Sequence, residues 1–278
     1  VERTQVFKDD GKLIERMAPA LQRVLVIDPS PPGGRMLADL MRSLTHCQVW
    51  IAPSAGKAME LLKGIDPQIV FIEHAERGGV DGIEFTRRLR RSEAACRQAP
   101  VVMILAQPTA AAVLGARDAG VHEFLRKPFT TGDLLKRLEA VTLRPRDWVE
   151  AVTYVGPDRR RFNSGDYTGP LKRRSDARAT PEKSRVTQAI KILKSAAGAL
   201  QSDPVQALRA MKAQGADLQS VAVKTGDIKL AGASAEFQRY LATVVDPRRL
   251  DPAQVAFHVA ALSAFMPAES ATGAKRVA

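Results

Sequence analysis

The strongest constraint on the fold is a series of short apolar runs separated by stretches of helical period. "RVLVID" (23–28), "CQVWIA", "QIVFIE", "PVVMILA" and "HEFLRKPF" are the runs. Several are apolar at successive positions rather than alternate ones, so both faces of those strands must be buried. Between them lie "GGRMLADLMRSL", with Met36, Leu37, Leu40, Met41 and Leu44 on one helical face, then "AGKAMELLKGI", "GIEFTRRLRR" and "TAAAVLGARDAG". A last helix, "TGDLLKRLEAV", is expected to be capped near Thr131. Five strands alternating with five helices over residues 23–141 predict a doubly wound α/β domain with a parallel sheet. In such a sheet the functional crevice lies beyond the carboxyl ends of the strands. Those ends are Asp28, Glu73, Leu105 to Ala106, and Lys127.

The pattern then stops. Residues 142 to 181 hold four Pro and nine Lys or Arg with no sustained period, which reads as a linker without regular structure. Helical signals return at "TPEK", where Thr180 is an N-cap and Pro181 the first helical residue. Val186, Ile190, Leu193 and Ala197 follow at helical spacing. "SDPVQALRAMK" and "LDPAQVAFHVAALSAF" each repeat an Asp-Pro start, the second with Gln254 three residues after Asp251. The expected organisation is a leader (1–22), the α/β domain (23–141), a basic linker (142–180), an Ala-rich all-helical domain (181–265) and a disordered tail (266–278).

Charge narrows the partners. Lys plus Arg number 42 against 30 Asp plus Glu, a net charge of +12 that favours anionic ligands or surfaces. The two cysteines, Cys47 and Cys96, lack metal-type spacing and fit a reducing cytoplasm rather than a disulfide scaffold. No apolar run approaches the roughly 18 residues of a membrane span. "VERTQVFKDDGKL" is too charged for a secretory leader.

Through "VLVID", "PQIVFIE", the Asp81-Gly82 pair, "PVVMILA" and "LRKPF", residues 23–141 resemble the CheY-like receiver domains of two-component response regulators. The resemblance implies a flavodoxin-like sheet in which a strand-end aspartate accepts phosphate. An acidic pair holds Mg²⁺, and a Thr or Ser and a Lys contact the phosphoryl group. This sequence departs from that pattern at most of these places. Glu73 stands at the phosphoacceptor position, Pro29 follows Asp28 where a second acid belongs, and Leu105 replaces the hydroxyl residue. The loop "EHAERGGVDG" is one residue longer than the pattern, while Lys127 and the aromatic Phe124 are kept. Losing one oxygen ligand weakens a Mg²⁺ site. The degenerate site is therefore Asp28, Glu73 and Lys127. Glutamate is one methylene longer than aspartate and can reach toward Lys127 as a fixed imitation of the phosphorylated state. The alternative is that Glu73 is a relic.

The linker repeats itself. Tyr154, Gly156, Pro157, Arg159 and Arg160 are echoed by Tyr167, Gly169, Pro170, Arg173 and Arg174. Arginine forks suit guanine O6 and N7 as well as phosphate. A neighbouring Asp can accept from the guanine Watson–Crick edge, and aromatic or guanidinium planes stack on bases. This stretch resembles the arginine-rich extension of CheY-like proteins that bind the bacterial second messenger cyclic di-GMP. Carried over, Asp158, Arg159, Arg160 and Arg161 read one guanine and its phosphates. Arg173, Arg174 and Asp176 serve the other, Tyr154 and Tyr167 stack, and Trp148 closes over the ligand. Leu171 stands where a larger aromatic is expected.

The resulting expectation is a non-enzymatic cytoplasmic effector with no resident cofactor, no catalytic residue and no protein-bound metal. It binds cyclic di-GMP and relays this to a protein partner in motility or polarity control, at a cell pole or flagellar motor. The alternative is a phosphorylation-independent adaptor whose basic linker touches protein or nucleic acid. Nucleic acid is the less expected partner, because the helical domain shows neither a helix-turn-helix pattern nor a basic helix face. Phosphotransfer is disfavoured too, since His258 in "VAFHVAALSAF" reads as a helix-face or core histidine.

Overall fold

The computed structural model of the chain describes residues 11–75, 78–159 and 181–266. These fall into two compact units. One holds the residues up to Val149 together with 154–159; the other holds 150–153 together with 181–266.

In the first unit, a leading helical segment over residues 11–17 precedes the sheet. The strands are β1 (Arg23–Ile27), β2 (Gln48–Ala52), β3 (Ile69–His74), β4 (Val101–Leu105) and β5 (Glu123–Arg126). All pair in parallel in the order β2-β1-β3-β4-β5, the doubly wound flavodoxin-like arrangement. The connecting helices are α1 (Pro31–Thr45), α2 (Ala55–Ile65), α3 (Gly82–Arg91), α4 (Ala110–Ala119) and α5 (Thr131–Thr142). The continuous apolar runs arise because the sheet is covered on both sides. Val24, Val26, Ile69, Phe71, Val102 and Ile104 pack against α1 and α5 through Met41, Leu134 and Leu138. The alternate residues, Leu25, Ile27, Val70, Ile72 and Met103, pack with Ala58, Phe85, Leu89 and Ala116 of α2, α3 and α4. Helix α5 is capped by Thr130, one residue before the expected Thr131. Its hydroxyl accepts from the Asp133 N–H, and the Asp133 carboxylate accepts in return from the Thr130 N–H.

The stretch read as a structureless linker is ordered at its start. Residues Trp148–Glu150 form β6 and Val155–Pro157 form β7, a two-stranded sheet. Short strands of three residues carry no readable period. Tyr154, just before β7, and Val155, its first residue, are buried.

The second unit contains α6 (Pro181–Gly198), α7 (Pro204–Thr225), α8 (Ile228–Thr243) and α9 (Pro252–Ser263). Asp203, Asp227 and Asp251 are N-caps, accepting from Gln206, Leu230 and Ala253 N–H groups. Ile190, Leu193, Met211, Leu218, Phe237 and Leu262 lie in its core. The buried Glu150 carboxylate accepts from the Gln206 amide at 2.8 Å, and the Glu150 carbonyl accepts from Gln214 at 3.2 Å.

Candidate functional site

At the carboxyl edge of the sheet, β1 and β3 are neighbours whose connecting helices leave on opposite faces, which opens a crevice there. Asp28 follows β1, Glu73 lies near the end of β3, and Lys127 follows β5. The Lys127 Nζ lies 2.9 Å from Glu73 Oε2 and 3.6 Å from Asp28 Oδ2. Asp28 is 4% exposed and Glu73 18%, so the cation is held between two largely desolvated carboxylates. The second Asp28 oxygen accepts from the Ser30 N–H at 2.7 Å. Gly33, in the first turn of α1, lets that helix approach; a Cβ there would sit 2.7 Å from Asp28 Oδ2. Burial pushes the Glu73 carboxyl above the ordinary range, the hydrogen bond to Asp28 pushes it the same way, and Lys127 pulls it back.

A divalent cation does not suit this donor set. Pro29 brings no oxygen side chain, the ammonium of Lys127 already bridges the two carboxylates, and no metal-holding cluster of three acidic, His or Cys residues occurs among the described residues. Leu105 is 2% exposed and packs in the core layer with Val70 and Ile72. One neighbour escaped the sequence reading. The His74 side chain, 7% exposed, accepts the Gly82 N–H on Nδ1 at 3.2 Å and so ties β3 to the start of α3.

A second cluster forms around Gly120. This glycine ends α4 with φ of 92°, a left-handed conformation, and a Cβ on it would meet the Val155 carbonyl at 2.5 Å. Gly156 faces it from β7, where a Cβ would lie 2.7 Å from the Gly120 Cα. Two backbones touch here because neither residue has a side chain. Beneath them Arg90 is 1% exposed and has no carboxylate partner among its described contacts. Its guanidinium donates to the carbonyls of Gly120 (2.9 and 3.1 Å), Arg97 (2.6 Å) and Ala99 (2.9 Å). It also lies 5.2 Å from the Trp148 ring centroid. Burial pushes its pKa down to about 9, which still leaves it charged at neutral pH. His122 stacks on Trp148 at 6.4 Å and accepts from Val101 N–H and Arg90 on Nδ1, which puts the ring proton on Nε2. Burial first, then Arg90 and Arg146, keep that imidazole neutral.

The first copy of the repeated motif is built into this cluster. Tyr154 is 6% exposed, its hydroxyl donates to the Pro157 carbonyl, and the Arg159 guanidinium covers its ring at 4.2 Å. Burial pushes the Tyr154 pKa up to about 12. Arg159 also bonds Asp118 at 2.8 Å. Burial alone would raise the Asp118 carboxyl, but its bonds from Arg159 and Arg117 outweigh that and hold it low. Asp158 is fixed through its backbone: its N–H donates to Asp147 and its carbonyl accepts from Arg146. The structure thus gathers Trp148, Tyr154, Asp158 and Arg159 on one side of the first unit. Arg160, Arg161, Tyr167, Arg173, Arg174 and Asp176 lie outside the described residues. At the amino edge of the sheet, opposite the Lys127 crevice, a cavity of about 450 Å³ is lined by Arg23, Asp66, His122, Arg146 and Trp148.

Residues 24–139 match the family described as the response regulator receiver domain. A chemotaxis protein CheY homolog of Campylobacter jejuni is 29% identical over 119 residues, covering 43% of this chain and 91% of its own length. The transcriptional regulatory protein TcrA of Mycobacterium tuberculosis is 31% identical over 122 residues, 44% of this chain and 46% of that protein. A solved receiver domain from Bermanella marisrubri superimposes with a TM-score of 0.39 at 25% identity, over 43% of this chain and 96% of that one. The first unit is a receiver domain of the response-regulator type, carried in a chain more than half of which these matches do not cover. No described helix is long and apolar enough to cross a membrane.

Proposed function

We propose that the receiver domain works without phosphoryl transfer and that the chain is a non-enzymatic effector whose input is cyclic di-GMP. The ligand is taken up by the arginine-rich segment after the receiver and the signal is relayed to a protein partner in the cytoplasm. The observation that carries the first half is the contact of Lys127 with Glu73 at 2.9 Å, reinforced by Asp28 at 3.6 Å. The cation that an incoming phosphoryl group needs is already neutralised by a carboxylate. A glutamate at the acceptor position and a leucine at the hydroxyl position remove the groups that such a reaction would use. The second half rests on the doubled aromatic, Gly-Pro and arginine pattern, whose planar forks and stacking faces match a two-fold ligand with two guanines and two phosphates. Motility or polarity control is suggested by the chemotaxis relatives and stands as part of the same proposal.

A second reading is favoured by one observation: Arg159 is already engaged by Asp118 and Tyr154. On that reading the basic segment is a contact surface of an adaptor with no small ligand. Calorimetric titration with cyclic di-GMP, GTP and a short DNA duplex separates the two. Saturable heat with cyclic di-GMP alone is the expected result. Heat with DNA alone, or with none of the three, removes the ligand reading. Incubation with acetyl phosphate and Mg²⁺ is expected to leave the protein unlabelled, and a hydroxylamine-sensitive adduct would overturn the first half.

A further inference from the structure

We infer that the cavity at the amino edge of the sheet, where Trp148 and Arg146 meet the Arg23–Asp66 pair, is a nucleobase site for one guanine of cyclic di-GMP. This rests on the ligand reading above and adds where one base goes. At about 450 Å³ the cavity falls in the size range of small-ligand pockets, about 300–1,000 Å³. Its inner wall is apolar, through Leu21, Ile69 and Val141, and its rim is polar and charged.

The rim chemistry selects the base. Trp148 is only partly buried and is held by Arg90 and His122, so it is a stacking plane fixed before any ligand arrives. Arg23 donates to the Asp66 carbonyl at 2.8 Å and to its carboxylate at 3.2 Å. Their side chains are 40% and 55% exposed, so the pair is reachable. A carboxylate beside a guanidinium complements guanine on two edges. The carboxylate accepts from N1–H and N2–H₂, while guanidinium and imidazole N–H groups donate to O6 and N7. Adenine would turn its N1 lone pair toward the same carboxylate, which repels it. Arg146 adds positive charge for the adjoining phosphate, and its Nη1 bonds the Asp158 carbonyl at 3.3 Å. The arginine-rich stretch therefore begins beside this cavity. The crevice holding Lys127 lies at the other edge of the sheet, so base binding does not compete with the Glu73 contact.

The test uses the full chain with Trp50→Phe, which leaves Trp148 as the sole tryptophan. Cyclic di-GMP and cyclic di-AMP are titrated by calorimetry while Trp148 emission is followed, in this parent and with Asp66→Asn added. Asp66→Asn keeps the size of an exposed side chain, and an unchanged melting temperature establishes that it folds. The expected result is quenching that tracks the calorimetric isotherm, with Asp66→Asn losing about tenfold or more in affinity and its preference for guanine. Normal cyclic di-GMP heats with unaltered Trp148 emission, and Asp66→Asn within twofold of the parent, would overturn the cavity assignment while leaving the ligand reading standing. No heat at all from the parent would remove both.

Discussion

Lys127→Met removes the one cation between Glu73 and Asp28 and keeps the aliphatic stem. With Nζ at 2.9 and 3.6 Å from the two carboxylates, the gross attraction at an effective dielectric near 20 is about 5 kcal/mol for each contact. Much of that offsets desolvation of the three groups, so the net effect is smaller. Truncating one partner of a buried ion pair costs about 3–5 kcal/mol. Lys127 is 29% exposed, and water can take over part of its role, which lowers the expectation to about 2–3 kcal/mol. The loss should depend on pH in a definite direction. Burial and Asp28 already raise the Glu73 pKa, and Lys127 is the group that lowers it. Without Lys127 the folded-state pKa climbs further. A carboxyl whose folded pKa is raised contributes stability below its unfolded pKa and loses it as pH rises through the folded value. The variant should therefore suffer most at about pH 8 and recover toward about pH 5, as Glu73 takes up a proton that it shares with Asp28. Urea denaturation of the parent and variant at both pH values measures this. Adding Glu73→Gln to Lys127→Met should restore most of the loss, because the neutral amide can donate to Asp28. A loss below about 0.5 kcal/mol at both pH values, with no rescue, would show that the ion cluster is a relic and refute the reasoning.

Three further outcomes are expected. Gly156→Ala should destabilise the receiver unit by about 1–3 kcal/mol, since its Cβ would lie 2.7 Å from the Gly120 Cα, whereas Gly56→Ala, with nothing within 4 Å, should be neutral or slightly stabilising in the same denaturation assay. Arg90→Lys should cost about 2–4 kcal/mol, because an ammonium cannot reach the Arg97, Ala99 and Gly120 carbonyls together; an unchanged melting temperature would contradict this. Arg160→Ala with Arg174→Ala should reduce cyclic di-GMP affinity by about two to three orders of magnitude by calorimetry, and Lys at the same positions should not restore it.

The sheet was legible because strands covered on both faces must be apolar at successive positions, and few other arrangements produce "VLVI" or "IVFI" between helical periods. The same logic hid Arg90. In "EFTRRLRR" four arginines read as solvated charge, yet Arg90 follows Thr86 by four residues as Leu89 follows Phe85, and all four are buried. That spacing was the available signal, but satisfying the buried guanidinium takes carbonyls from two separate segments, residues 97–99 and Gly120, which no local pattern reveals. Helix α8 went unread for a related reason: its buried positions Leu230, Ser234, Phe237 and Leu241 have helical spacing, but a serine interrupts the apolar stripe. At the candidate site, the residue types at the strand ends were readable. The 2.9 Å closure of Glu73 on Lys127 depends on the parallel order of β1, β3, β4 and β5, a property of the assembled sheet.

Residue type in a motif does not by itself assign a role, and the first copy of the arginine motif shows why. Gly156 is required by the approach of two backbones, and the Tyr154 hydroxyl is committed to the Pro157 carbonyl. With 6% exposure and Arg159 over its ring, Tyr154 has little face left for a base. The stacking role expected of it passes most naturally to Trp148, six residues earlier, which is partly open beside the cavity. Arg159 is in a different position. Its pairing with Asp118 joins side chains that are 44% and 47% exposed, a class of contact contributing about 0–1 kcal/mol. A phosphate accepts two parallel bonds from the same fork and holds it more strongly than this exposed carboxylate. Exchanging Asp118 for a phosphodiester therefore costs little and keeps the guanidinium paired throughout. The engaged state of Arg159 is thus compatible with ligand binding, whereas the burial of Tyr154 assigns that residue to the fold.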